Sequence, residues 1–117
     1  MRTIFVPVLL AAFASVSASA QTFGHHSDAF YCYWIDAPHK TMATTQIFPG
    51  DRAKQKSITG VFAMDMQHRD GRQPRKYECA WKQHAEDAQE EMDSLRATHR
   101  DLGFQVMAES WTPMSHH

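Results

Sequence analysis

The amino-acid sequence predicts an α+β domain: a mainly antiparallel sheet of about four strands with two helices on one face, ferredoxin-like or related, in the order β-β-α-β-α-β. Three observations predict it. Two aromatic-rich segments alternate around single cysteines, as strands do; His84 to Leu102 places apolar residues at helical spacing; and Pro, Gly and Asp-Gly punctuation cuts the chain into pieces of strand and helix length. Helices laid on one face of such a sheet bury one side of every element at this chain length.

The first segment is not part of that domain. Arg2 precedes an apolar stretch from Ile4 to Phe13, and the small residues that follow end in Ala18-Ser19-Ala20. This is the pattern of a cleaved secretory signal peptide over residues 1–20. The apolar stretch, about ten residues, is too short to span a hydrocarbon core of roughly 30 Å, so no membrane span is expected after cleavage. The expected product is periplasmic or secreted. Its 97 residues make one domain with one modest core.

Residues 21–28, polar and carrying His25 and His26, read as a flexible lead-in to a domain over 29–113. Phe30, Cys32 and Trp34 alternate with Tyr31, Tyr33 and Ile35 in the first strand, which Pro38 ends. Thr41 to Phe48, with β-branched Thr44, Thr45 and Ile47, reads as its hairpin partner, broken by Pro49-Gly50. Asp51 is a plausible helix N-cap, and Ile58, Val61, Phe62 and Met66 share a helical face. Residues 52–68 are therefore read as helix, although Ile58, Gly60, Phe62, Met64 and Met66 also alternate as a strand would, and that alternative stays open. Asp70-Gly71 and Pro74 mark a loop. Tyr77-Glu78-Cys79-Ala80-Trp81 then repeats the aromatic-x-Cys-x-Trp pattern of Phe30 to Trp34.

The clearest helix runs from about His84 to Leu102. Ala85, Ala88, Met92, Leu95, His99 and Leu102 form one stripe, with acids early and bases late as the helix dipole favours. Gly103 supplies the C-terminal stop. Phe104 to Trp111 reads as the closing strand, and 114–117, with His116 and His117, as a flexible tail.

Two cysteines in a small exported domain are expected to pair, and alternation puts Cys32 and Cys79 each on the same strand face as two aromatic neighbours. Closing that 48-residue loop contributes on the order of 4 kcal/mol in the chain-entropy model. No Cys-x-x-Cys suggests thiol chemistry. With Arg2 removed, 11 Lys+Arg face 13 Asp+Glu, a balance that argues against a nucleic-acid partner. Copper or zinc would need ligand spacing that the histidines lack: His25, His26, His116 and His117 are adjacent pairs at the two ends and the weakest of candidates. Glu86, Asp87, Glu90 and Glu91 fall on the outer face of a helix, no Gly-x-Ser-x-Gly or glycine-rich phosphate loop occurs, and neither a catalytic residue nor a cofactor is expected. What remains is surface. Tyr31 and Tyr33 lie opposite Cys32, and on a sheet with helices on one side only they form a possible binding surface.

Cys32 in the first strand, Ile47-Phe48-Pro49-Gly50-Asp51, Cys79 before an alanine- and acid-rich helix, and the closing Trp111 resemble small uncharacterised exported proteins of Gram-negative bacteria, a resemblance that implies no activity. Tyr77 to Val106, with a helix opened by His84-Ala85-Glu86-Asp87-Ala88 and closed by Gly103-Phe104-x-Val106, also resembles half of a sporulation-related repeat domain. That second resemblance implies peptidoglycan binding. The expectation is thus a non-catalytic binding or interaction domain for an envelope or extracellular protein or glycan, with a peptidoglycan module and periplasmic copper or zinc binding through histidines as alternatives.

Overall fold

A computed structural model describes residues 27–113. The expected signal peptide over 1–20, nearly all of the lead-in over 21–28 and the tail over 114–117 lie outside the described residues, and with them His25, His26, His116 and His117. The described chain begins its first strand at Asp28, one residue before the expected start.

The elements run β1 (Asp28–Asp36), β2 (Thr41–Thr45), β3 (Phe48–Gly50), a 3-10 turn at Arg52–Lys54, α1 (Gln55–Asp70), β4 (Lys76–Lys82), α2 (Ala85–Asp101) and β5 (Gln105–Glu109). The fold is α+β, but the sheet is mixed and has five strands. β1 is central, antiparallel to β4 on one side and to β2 and β3 on the other, and β5 closes the sheet parallel to β2. The expected mainly antiparallel, ferredoxin-like arrangement of four strands is corrected in that respect.

β2 and β3 were expected as one strand ending before Pro49. They are two because the register against β1 slips: Tyr33 pairs with Thr44, yet Phe30 pairs with Phe48, so three residues face two. That is a β-bulge, and the Thr45 side chain repairs the ladder it interrupts. Thr45 Oγ1 accepts from the Cys32 N–H at 3.0 Å and donates to the Gln46 carbonyl at 2.9 Å. Pro49 sits inside β3 opposite Ala29, where among the described residues no strand lies on its outer side and its missing N–H costs no ladder bond. Gly50 follows because a Cβ there would come within 2.8 Å of the Phe30 ring.

Residues 55–70 are helical, as expected, and the strand alternation is not realised. Phe62 and Met66, four residues apart, are fully buried against the sheet, with Ile58 and Val61 beside them. This packing outweighs the cost of a mid-helix glycine, about 1 kcal/mol, and Gly60 itself faces open space. Asp51 caps the 3-10 turn that precedes α1, accepting from the Ala53 N–H at 2.9 Å. Helix α2 ends where Gly103 takes φ +90°. The Lys40 side chain donates to the Leu102 carbonyl at 3.1 Å, which ties the β1–β2 turn to that helix end.

The two copies of aromatic-x-Cys-x-Trp lie against each other head to tail. Phe30 pairs with Trp81, Cys32 with Cys79 and Trp34 with Tyr77. The Cys32–Cys79 disulfide is formed, with Cα atoms 4.0 Å apart and both side chains in the core. Around it gather Phe48, Phe62, Met66 and Trp111, whose rings meet edge to face. The Arg75 guanidinium covers Trp34 at 3.6 Å and that of Arg52 covers Trp81 at 4.1 Å.

The helices take opposite faces of the sheet, which corrects the expectation that both lie on one. Helix α1 packs on the Phe30, Cys32 and Trp34 face, and α2 on the Ala29, Tyr31 and Tyr33 face. Topology supplies the reason. β2, β4 and β5 all point the same way, and the crossover through α1 runs from one side of β1 to the other while the crossover through α2 runs back. Crossovers between parallel strands are right-handed almost without exception, so two that run in opposite directions must use opposite faces.

Candidate functional site

Helix α2 is laid on the tyrosine face by Ala85, Ala88, Met92 and Leu95, the stripe visible in the sequence. Small Ala88 is fully buried against the sheet, while the longer Glu91 and Arg96 on the two flanks reach across to strand residues. One hollow results on each flank.

The first, of about 430 Å³, is lined by Tyr31, Tyr33, Ala80, Glu91, Ser94, Leu95 and Thr98. Both tyrosines read from the sequence are therefore brought together here, but in different roles. Tyr31 is only 2% exposed, which corrects its reading as open surface: α2 covers it. Its hydroxyl donates to Glu91 Oε1 at 2.7 Å. Tyr33, half-buried, stacks on Tyr31 with ring centroids 6.0 Å apart and remains open to the hollow. Glu91 is also held from the other side, with Lys82 Nζ 3.2 Å from Oε2.

Burial pushes the Tyr31 phenol well above its usual range, and the hydrogen bond to Glu91 adds to this. Burial does the same for Tyr33, helped by the negative charges of Glu78 and Glu91. Both phenols stay protonated near neutrality and serve as hydrogen-bond donors. The hollow thus offers an aromatic ring, three hydroxyl-bearing side chains at Tyr33, Ser94 and Thr98, and a fixed carboxylate.

The second hollow, of about 580 Å³, is lined by Thr44, Thr45, Gln46, Met92, Arg96, Ala108, Glu109 and Ser110. It lies at the carboxyl ends of β2 and β5, which are parallel neighbours. Arg96 Nη1 donates to Thr44 Oγ1 at 2.6 Å and to the Met107 carbonyl at 3.2 Å. Glu109 has both oxygens engaged, one by Trp34 Nε1 at 2.9 Å and one by Arg69 Nη1 at 3.0 Å.

Sequence reasoning missed Glu91, Ser94, Thr98 and Arg96 as a group, because all four fall beside the apolar stripe, where a solvated face is the default reading. The available signal was β1 itself. From Ala29 to Ile35 it has no charged residue on either face, the mark of a central strand covered on both sides. A second covering helix, and hence flanking hollows, follows from that.

Among the described residues no group of three or more His, Cys, Asp and Glu could hold a metal ion, and no helix is long and apolar enough to cross a membrane. His39 contacts the Asp36 carboxylate at 2.9 Å, and His99 contacts the Leu95 carbonyl at 2.9 Å. Arg69 pairs with Glu109 at 3.0 Å and Arg75 with Asp70 at 2.9 Å.

The class defined by fold and site is a disulfide-closed α+β domain with one helix on each face of a mixed sheet. No protein-family model, curated protein or solved structure matches the chain.

Proposed function

We propose that this protein is an exported, non-catalytic binding domain, periplasmic or secreted, that captures an envelope or extracellular ligand in the hollow floored by Tyr33. The observation that carries the reading is the half-buried Tyr33 ring, held by stacking on Tyr31 and bordered by Glu91, Ser94 and Thr98. A rigid aromatic platform with a few placed polar groups is the usual anatomy of a recognition site. Export is supported by the basic and apolar pattern of residues 1–20, and the buried disulfide suits an oxidising compartment.

Within that reading a glycan is favoured over a protein partner. A sugar ring presents an apolar face to stack on Tyr33 and hydroxyls that donate to a carboxylate such as Glu91, and Lys82 with Tyr31 holds that carboxylate in place. The resemblance of Tyr77 to Val106 to part of a peptidoglycan-binding domain points the same way.

Co-sedimentation with purified cell-wall sacculi tests the glycan reading. The protein is expected in the pellet, and Tyr33→Ala is expected to leave it in the supernatant while circular dichroism shows the variant still folded. Equal sedimentation of both forms would remove Tyr33 from the site. No sedimentation, together with capture of an envelope protein that Tyr33→Ala abolishes, would return the reading to a protein partner.

A further inference from the structure

We infer that the hollow on the opposite flank of α2 is a second ligand site, independent of the Tyr33 hollow, and that the group it takes is a carboxylate. The guanidinium of Arg96 is the basis. It is partly buried, its two hydrogen bonds both use Nη1, and both acceptors are neutral: the Thr44 hydroxyl oxygen and the Met107 carbonyl. Among the described residues no carboxylate pairs with it, in contrast to Arg52, Arg69 and Arg75, each of which meets an acid. Glu109 lines the same hollow, but Trp34 and Arg69 hold both of its oxygens.

The groups left over at Arg96 and Thr44 are donors. Arg96 keeps Nη2 and Nε, and Thr44, whose oxygen accepts from Arg96, keeps its own hydroxyl hydrogen. Gln46 and Ser110 add an amide and a hydroxyl at the rim. Met92 and Ala108 supply an apolar wall. One guanidinium offers a single positive charge on a planar fork, which matches a carboxylate; a phosphate dianion would call for a second cation, and among the described residues none lines this hollow. The hollow, of about 580 Å³, is open to solvent. It opens at the carboxyl ends of the parallel pair β2 and β5.

The test is a titration followed by amide NMR shifts of the purified protein, using N-acetyl-alanine, N-acetyl-alanine amide, a short peptide ending in a free alanine carboxylate, and inorganic phosphate. The acid is expected to bind saturably, with shifts centred on Thr44, Gln46 and Ser110, and the amide at least about tenfold more weakly, the loss expected when a charged partner is removed. A peptide that binds more tightly than the acetylated residue identifies a chain terminus as the source, and equal binding identifies a small free acid. Arg96→Gln is expected to abolish the response and Arg96→Lys to weaken it. The comparison of acid with amide needs no variant, so it decides even if Arg96 proves necessary for folding. Equal binding of acid and amide, tighter binding of phosphate, or shifts centred on Tyr33 would each overturn the assignment.

Discussion

The hydroxyl of Tyr31 donates a 2.7 Å hydrogen bond to Glu91, sixty residues further along the chain, and so joins the central strand to the helix that covers it. The bond lies at the edge of the Tyr33 hollow, where it shares with Lys82 the holding of the Glu91 carboxylate. Tyr31→Phe keeps the buried ring and removes only the donor. A loss of about 1.5–3 kcal/mol in stability is expected, as for a bond to a charged acceptor. Urea unfolding of Tyr31→Phe, Glu91→Gln and the double variant would show a coupling between the two; strictly additive losses would mean that the bond contributes nothing.

Reducing the disulfide should have a far larger effect. Cys32 and Cys79 are buried on adjacent strands and close 48 residues of chain, so the constraint on the unfolded state is worth on the order of 4 kcal/mol. The double Cys→Ala variant is expected to unfold at much lower denaturant than the wild type, and mass spectrometry of the native protein should find two hydrogens fewer than the dithiol form. A free-thiol protein of unchanged stability would contradict both statements.

Acid should destabilise the fold through Asp28. Its carboxylate takes hydrogen bonds from Arg52 Nε and Nη2 at 3.2 and 3.0 Å, and these hold its pKa below the ordinary value against the opposing effect of burial. For Asp36 burial pushes upward, but the hydrogen bonds and charge of His39 with the charge of Arg75 outweigh it, and the net direction is again down. A lowered folded-state pKa means that the unfolded chain binds more protons. The contribution is complete above the unfolded value of about 3.9 and is lost as pH falls through the depressed folded value. Thermal melts should change little on this account between about pH 7 and pH 5 and drop below about pH 4, with a shallower drop in Asp28→Asn. An equally steep drop in that variant would exclude Asp28 as a source.

Two glycines should respond in opposite senses to alanine. Gly60 is exposed in the middle of α1 with open space where a Cβ would go, and Gly60→Ala is expected to stabilise by about 0.5–1 kcal/mol. Gly50 has the Phe30 ring 2.8 Å from that position, and Phe30 is fully buried. Gly50→Ala must displace a core aromatic and is expected to destabilise by about 1–3 kcal/mol. Guanidinium denaturation of the pair would settle the signs.

Local chemistry carried much of this fold into the sequence. The stripe from Ala85 to Leu95 needs only a helical period and a sheet to lie on, and Gly103 ends that helix for reasons confined to its own backbone. The paired motifs around Cys32 and Cys79 were legible because strand alternation places like residues on one face whatever the partner. Even the ambiguous stretch around Gly60 leaned the right way, since Phe62 and Met66 meet the sheet at helical spacing.

What the sequence by itself determined is therefore β1, β4 and α2, apart from a residue or two at their ends, and which sulfurs meet. Tertiary structure alone decided where the elements lie. The bulge at Thr45 to Ile47, the parallel pairing of β5 with β2 and the placing of α1 and α2 on opposite faces depend on strand order, and strand order is a property of long-range pairing that no local period encodes. Because the handedness of crossovers then sent α2 over the tyrosine face, Tyr31 became a buried support, Tyr33 became the floor of a hollow, and Arg96 came to rest beside Thr44 with its charge unmatched.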